Sequence, residues 1–160
     1  MVWNIKEDIL FGKRNEKKVI SWFNKNMYGD DWFKAYKLER KQVDFKNTQI
    51  IGELKTRTCS STYYPDTMFG YNKMKYLREK RQIKENETRQ FVFYFLFTNG
   101  LYKWVYEEGK ENQYRIDEFI HQEKGPMPYC YVLKEYLELV TTDINSTTPP
   151  AHDEADYLVK

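Results

Sequence analysis

Apolar positions near the start of the chain follow a helical period. Segment 13–27 (KRNEKKVISWFNKNM) predicts an amphipathic helix whose apolar face carries Val19, Ile20, Phe23 and Met27. Glu16 precedes two of these positions by three and four residues, so it shares the apolar face. A carboxylate on such a face is costly unless it has a partner, which makes Glu16 a candidate functional residue.

The residues after this predicted helix show a pattern that is typical of extended segments. Residues 32–39 (WFKAYKLE) and 42–45 (QVDF) are predicted to be extended, and residues 46–48 to form a tight turn. Residues 48–58 (TQIIGELKTRT) then predict the returning strand of a hairpin.

Two further elements follow with different periods. Residues 66–87 predict a helix capped by Asp66 or Asn72, with Met74 and Leu77 pointing inward. Residues 91–97 (FVFYFLF) are apolar on both faces, as in a central strand that is covered on both sides. Thr98-Asn99-Gly100 predicts a hairpin into residues 101–108, whereas 113–119 and 129–140 fit either strand or helix.

This order of elements favours an α/β fold. A helix, three strands, a second helix and two or three strands predict a mixed central sheet with helices on both faces. The 160 residues suffice for one domain, which we assign to 1–140. Residues 141–160 are polar, contain a Pro-Pro pair and show no periodicity, so we expect a disordered acidic tail.

The distribution of charge along the chain bears on the kind of partner that the protein could bind. The net charge is +2, and the last 20 residues contribute −3, so the remaining 140 residues carry +5. A mildly basic body permits a polyanionic partner. No apolar run is long enough to span a membrane, the N-terminus does not resemble a secretion signal, and two cysteines favour reduced thiols. These features predict an intracellular protein, in the cytoplasm or nucleus.

Strand parity between residues 50 and 57 brings charged side chains together. Alternate side chains of a strand share a face, and here one face carries Ile51, Glu53, Lys55 and Arg57. Glu53 and Lys55 therefore lie about 7 Å apart along the strand. In the predicted hairpin, Asp44 falls near the level of Gly52 and leans toward Glu53.

Two carboxylates beside an ammonium suit a hard divalent cation. Mg²⁺ takes oxygen ligands and is usually held by one or two carboxylates, with water and substrate phosphate in the remaining positions. Such a metal generates a nucleophilic water and stabilises charge on a phosphoryl group. Lys55 would orient or deprotonate that water, or stabilise the transition state electrostatically.

Taken in order, Glu16, Asp44, Glu53 and Lys55 resemble the core pattern of the PD-(D/E)XK nuclease superfamily: a helical Glu, a strand Asp, then Glu-x-Lys on the next strand. The resemblance covers about residues 10–105 and includes the αβββαβ order. It implies the restriction-endonuclease-like fold and phosphodiester hydrolysis with Mg²⁺ or Mn²⁺. Asp44 and Glu53 would be metal ligands, Lys55 the catalytic lysine, and Glu16 an auxiliary ligand or an orienter of metal-bound water. Val43 stands where the motif has proline.

Candidate nucleic-acid contacts lie beyond this pattern. The resemblance implies a further polar residue on the following helix, which would be Lys73 or Tyr71. Lys73, Lys80 and Lys84 fall along one side of that predicted helix and could track phosphates, although a solvated helix face is an equally good interpretation. Arg57 extends the charged face of the strand and completes the predicted binding set.

Three functions fit the sequence. The leading one is a metal-dependent nuclease acting on DNA, with an endonuclease as one form of it and RNA as the alternative substrate. The composition suggests a viral, phage or protist source. The second is a non-catalytic nucleic-acid-binding module with the same fold, and the third is a protein-interaction domain. An exposed hairpin edge would explain Glu53 and Lys55 but leaves Glu16 unexplained. One such site cuts one strand, so we expect a homodimer if the substrate is duplex.

Overall fold

The computed structural model describes residues 5–26, 34–35, 45–46, 49–76, 89–121 and 123–146. The chain begins with helix α1 (Ile5–Asn26) and the strands β1 (Lys34–Ala35), β2 (Phe45–Lys46), β3 (Ile50–Thr56) and β4 (Asp66–Gly70). The described part of helix α2 covers residues 71–76. Then follow β5 (Gln90–Phe97), β6 (Gly100–Tyr106), β7 (Tyr114–His121), β8 (Gly125–Leu133) and β9 (Glu138–Thr141), with 3-10 turns at Glu111–Gln113 and Lys134–Tyr136.

Six strands form a mixed sheet in the order β1-β2-β3-β5-β6-β9. The first three strands are antiparallel neighbours, β3 and β5 are parallel, and β5, β6 and β9 are again antiparallel. The α/β class and the mixed sheet predicted from the sequence are therefore confirmed. The parallel pairing of β3 with β5 requires a crossover connection from the end of β3 to the start of β5. Strand β4 and helix α2 lie in that connection.

Strand β5 is the centre of the molecule, because both of its faces are covered. Phe91, Phe93 and Phe95 point into one core cluster, whereas Val92 and Tyr94 point into another. Every residue from Phe91 to Phe97 is buried, as the apolar run predicts. The predicted hairpin is also present: Phe97 pairs with Gly100 across a two-residue turn.

Helix α1 covers the second of these faces. Val19 and Phe23 are buried against Leu54, Val92 and Tyr94, and the rings of Phe23 and Tyr94 meet edge to face with centroids 5.0 Å apart. The helix begins eight residues before the predicted start at residue 13 because the apolar face continues back to the buried Phe11.

The other face of the sheet is covered by a second sheet together with Met74 of the short helix α2, so the helical layer expected on this face forms only part of its cover. Strands β4, β8 and β7 form an antiparallel sheet of three strands. Phe69 of β4 and Val132 of β8 are buried in the same cluster as Phe93 and Phe95. Segments 113–119 and 129–140, which fitted either strand or helix, are mainly strands.

Residues 66–70 form a strand, so the predicted helix 66–87 does not start there. Thr67 and Phe69 are buried while their neighbours are half-buried, which is the period of a strand. Asp66 does not cap a helix but binds Arg115 at 2.5 Å. Helix α2 begins at residue 71, and Met74 points inward as predicted, with no exposed surface. Leu77 lies outside the described residues.

The folded part continues past residue 140, where the acidic tail was predicted to begin. Thr141 ends β9 and is buried. Ser146 is also buried, and its backbone amide donates to the carbonyl of Phe97 at 3.0 Å. Lys18 Nζ of α1 donates to the carbonyl of Asn145 at 2.9 Å, so the segment after β9 is hydrogen-bonded to the helix. Residues 147–160 lie outside the described part.

Two observations concern the classes of protein considered above. Both cysteines, Cys59 and Cys130, are free thiols. Within the described ranges, we find no helix with the length and apolarity needed to cross a membrane.

Candidate active site

Glu53 and Lys55 project from the same face of β3, as the parity argument predicts. They pair with Phe93 and Phe95 of the parallel strand β5, whose rings lie in the core between the two sheets. Leu54 points to the opposite face, toward α1. Glu53 is therefore a carboxylate at the margin of an aromatic core, and only 4% of its side chain is exposed.

Two lysine ammonium groups meet this carboxylate. Lys55 Nζ lies 3.7 Å from Glu53 Oε1, and Lys73 Nζ lies 3.4 Å from the same oxygen. The two lysine side chains are 32% and 21% exposed, so solvent reaches both. A buried carboxylate requires compensating charge, and here α2 supplies the second cation.

The trio formed by Glu53, Lys55 and Lys73 carries a net charge of +1. The negative charge is buried while the two positive charges reach solvent, so the group presents a positive potential to its surroundings. Lysine ammonium groups bind phosphate oxygens as point charges. The trio therefore suits a phosphate group in front of it.

The structure brings together three of the side chains singled out from the sequence and places others elsewhere. Tyr71 is half-buried and packs against the core between the two sheets. Glu16 is half-buried on α1. Because α1 packs on the Leu54 face of the sheet, Glu16 projects from an element on the opposite side from Glu53.

The partner strand of the predicted hairpin has a register one residue away from the expected one. Phe45, rather than Asp44, pairs with Gly52, and Lys46 pairs with Ile51. Asp44 precedes Phe45 directly in the chain but lies outside the described residues, as do Lys80 and Lys84. The antiparallel pairing of β2 with β3 confirms the hairpin itself.

Arg57 follows β3 and turns toward the second sheet. Its Nε donates to Thr67 Oγ1 at 3.3 Å, and its Nη2 donates to the carbonyl of Met68. Its backbone continues the ladder, donating to the carbonyl of Leu96 at 2.8 Å. Burial lowers the pKa of Arg57 from its ordinary value.

A pocket of about 430 Å³ opens beside Arg57, and no pattern of residues along the chain predicted it. Its walls come from the end of β3, the loop that follows, β4, β7 and β8. The side chains that matter below are Arg57, Cys59, Tyr64, Asp66, Phe119 and Tyr131. Pockets of this size hold small organic ligands in many proteins.

A divalent metal ion at Glu53 would need further oxygen ligands. Across the part of the chain that the structure describes, no three His, Cys, Asp or Glu side chains are grouped closely enough to hold a metal ion. Mg²⁺ needs only one or two protein carboxylates, however, so Glu53 with one more acid such as Asp44 would suffice. The buried position of Glu53 favours a cation, because a carboxylate in apolar surroundings attracts positive charge.

We expect Glu53 and Lys73 to be energetically coupled. A double-mutant cycle with Glu53→Gln, Lys73→Met and the double variant should give a coupling energy of about 0.5–3 kcal/mol, measured as free energies of unfolding in urea. The coupling should exceed that of a surface pair because Glu53 is buried.

The exposed pair Lys110–Glu107 supplies the control for this cycle. Its atoms are closer, at 2.9 Å, but its side chains are 43% and 48% exposed. An exposed pair contributes about 0–1 kcal/mol, so its cycle should give the smaller coupling despite the shorter distance. Equal coupling in the two cycles would contradict the burial argument.

No model of a protein family matches the chain. No curated protein matches it either. Function is therefore inferred from the side chains around Glu53 and from the topology that positions them.

Proposed function

We propose that this protein is a divalent-metal-dependent nuclease of the PD-(D/E)XK type that hydrolyses phosphodiester bonds in DNA. The observation that carries the proposal is the buried carboxylate of Glu53 on β3, with the Lys55 ammonium beside it on the same strand face and Lys73 approaching from α2. This is the arrangement that the Glu-x-Lys pattern and the additional polar residue of the following helix imply.

The topology supports the same proposal. Helix α1, the antiparallel strands β1 to β3, helix α2 and the parallel strand β5 follow the αβββαβ order of the restriction-endonuclease-like core. One departure is β4, which stands between β3 and α2 and belongs to the second sheet. The insertion leaves the β3–β5 pair intact, so Glu53 and Lys55 keep a central strand as their support.

Each residue has a role that follows from its chemistry. Glu53 would hold the cation together with Asp44, and a bound Mg²⁺ would supply a water of lowered pKa and neutralise phosphate charge. Lys55 binds the scissile phosphate or orients the attacking water, since its ammonium group has three N–H donors and reaches solvent. Lys73 fixes the Glu53 carboxylate and, once a cation takes over that charge, becomes available to a phosphate.

The two lysine ammonium groups also compensate the charge of the buried carboxylate. Their attraction offsets part of the desolvation cost of Glu53. A divalent cation would replace them as the compensating charge. With that charge supplied by a cation, the Lys55 and Lys73 ammonium groups would be available to bind a substrate phosphate.

A cleavage assay tests the proposal directly. Labelled single-stranded, duplex and branched DNA, and RNA, are incubated with Mg²⁺ or Mn²⁺, with an EDTA control. We expect metal-dependent cutting of DNA that EDTA abolishes. Cutting of RNA alone would identify the alternative substrate, and salt-sensitive DNA binding without cutting would show that the fold serves as a binding module. Neither binding nor cutting would refute the proposal.

A further inference from the structure

Among the described residues, the Arg57 guanidinium beside the pocket contacts neutral groups rather than a carboxylate. Within the described residues, the hydrogen-bond acceptors of its guanidinium are neutral: the Thr67 hydroxyl and the Met68 carbonyl. These bonds use Nε and Nη2, so within the described part of the chain Nη1 can donate to another acceptor. Arginine remains charged in proteins and Arg57 is half-buried, so its positive charge is partly desolvated. A desolvated charge of this kind is costly unless an anion joins it.

One carboxylate does line the pocket, but its charge is already matched. Asp66 Oδ2 accepts a bond of 2.5 Å from Arg115 Nη1. The guanidinium of Arg115 also lies over the Tyr131 ring, 4.4 Å from its centroid. Asp66 and Arg115 therefore form a neutral pair at the rim, and the charge of Arg57 remains the net charge of the pocket.

The remaining walls are aromatic. Tyr64 and Phe119 are 58% and 43% exposed, and both line the pocket together with the half-buried Tyr131. Large exposed rings around a cavity are suited to stacking against a planar ligand, and aromatic stacking binds bases irrespective of their sequence. The pocket thus offers a phosphate-binding donor and base-stacking rings within about 430 Å³.

The pocket also lies next to the proposed active site. Arg57 is two residues beyond Lys55 on the same strand face, and that step measures about 7 Å along an extended chain. A nucleic-acid strand whose phosphate lies at Lys55 would therefore bring a neighbouring nucleotide to Arg57.

We propose that this pocket binds one unstacked nucleotide, with its phosphate on Arg57 and its base against Tyr64, Phe119 and Tyr131. The anion site stands on the geometry of Arg57, whereas the choice of a nucleotide as ligand rests on the proposed nuclease function. The same chemistry could be offered by a free nucleoside monophosphate or by the terminal nucleotide of a strand.

Cys59 provides a reporter inside the pocket. It lines the cavity, is partly exposed, and is one of only two cysteines in the chain. The other, Cys130, is fully buried and should not react in the folded protein. Alkylation of Cys59 by iodoacetamide, followed by mass spectrometry, thus measures occupancy of the pocket. EDTA keeps the measurement independent of cleavage.

The expected result is protection by nucleotides. With dAMP at about ten times its Kd, alkylation of Cys59 should slow about tenfold, whereas deoxyadenosine and inorganic phosphate at the same concentration should protect less. Oligonucleotides with and without a 5′-phosphate separate the two sources: protection by the phosphorylated strand identifies a strand end, and protection by dAMP alone identifies a free nucleotide. No protection by any nucleotide, or equal protection by deoxyadenosine, would overturn the proposal.

Variants with matched controls locate the binding. Arg57→Met should raise the Kd for dAMP about tenfold or more, because a charge-assisted bond is lost. Lys110→Met, which removes a surface charge outside the pocket, should leave it unchanged. Phe119→Ala should weaken protection while its neighbour Ile120→Ala, outside the lining, should not. If Arg57→Met fails to fold, the comparison of Phe119→Ala with Ile120→Ala decides whether the nucleotide binds in the pocket. Equal effects of these two substitutions would refute the pocket as the binding site.

The outcomes for pocket and nuclease are separable. Nucleotide protection without cleavage of any substrate would support the pocket and refute the enzyme. Metal-dependent cleavage by a protein whose Cys59 no nucleotide protects would support the enzyme and refute the pocket.

Discussion

Lys55→Met is expected to lower the rate of DNA cleavage by about 10²–10⁴-fold, the range that loss of a positioned proton-transfer or charge-stabilising group produces. Methionine keeps the unbranched, apolar stem of lysine and removes only the ammonium. Since Lys73 still contacts Glu53 at 3.4 Å, the buried carboxylate keeps one compensating charge and the fold should persist. The effect should therefore fall on cleavage rather than on folding.

Lys103→Met is the matched control for this substitution. Lys103 lies on β6 in register with Tyr94, on the sheet face opposite to Glu53, and its ammonium meets Glu138 at 3.9 Å. The control removes the same group from the same sheet and should leave the cleavage rate within about twofold, since surface substitutions away from a site have small effects. Single-turnover cleavage rates and thermal melting of the three proteins are the measurements.

Two roles for Lys55 can be separated by whether its loss lowers the rate of cleavage or the affinity for DNA. If its ammonium acts in the chemical step, the single-turnover rate falls while affinity for DNA in Ca²⁺ or EDTA changes little. If it binds phosphate in the ground state only, affinity falls and the rate at saturation is kept. Unchanged cleavage and unchanged affinity would contradict the assignment of Lys55 altogether.

The charged face of β3 could be predicted because its determinants are local. Strand parity depends on neighbouring residues alone, and it places Glu53 and Lys55 on one face whatever packs above them. The buried run of β5 is equally local, since seven consecutive apolar residues require cover on both sides. The resemblance then pointed to Lys73 or Tyr71 on the following helix, and of these two it is Lys73 of α2 that contacts Glu53 of β3.

The second sheet could not be predicted because its pairing is distant along the chain. Residues 66–70 are short and precede a helical stretch, so the local pattern favours a helix for the whole segment. Their strand state is fixed by pairing with β8, where Phe69 faces Cys130. The pocket of Arg57 depends on the same long-range pairing, since β4, β7 and β8 supply much of its wall. Tertiary context overrides local propensity in such cases.

Phe93→Ala is expected to lower the free energy of unfolding by about 3–5 kcal/mol, as truncation of a buried phenylalanine does when the cavity cannot close. Phe93 has no exposed surface. Its ring stacks on Phe69 of the second sheet with centroids 4.0 Å apart and lies 5.8 Å from Trp104. Alanine would therefore open a cavity between the two sheets. Urea unfolding measures the loss, and a midpoint of thermal unfolding lower by about 10 °C would accompany it.

Tyr63→Ala removes an aromatic ring that is 70% exposed and should change the same free energy by about 0.5 kcal/mol or less. A loss below about 1 kcal/mol for Phe93→Ala would mean that the two sheets do not share a rigid core. Phe93 is also the register partner of Glu53 on β5, so its ring forms the apolar wall beside the carboxylate. Phe93→Leu separates these roles: it retains apolar volume and most of the stability, so slower cleavage by this variant would show that the shape of the wall positions Glu53.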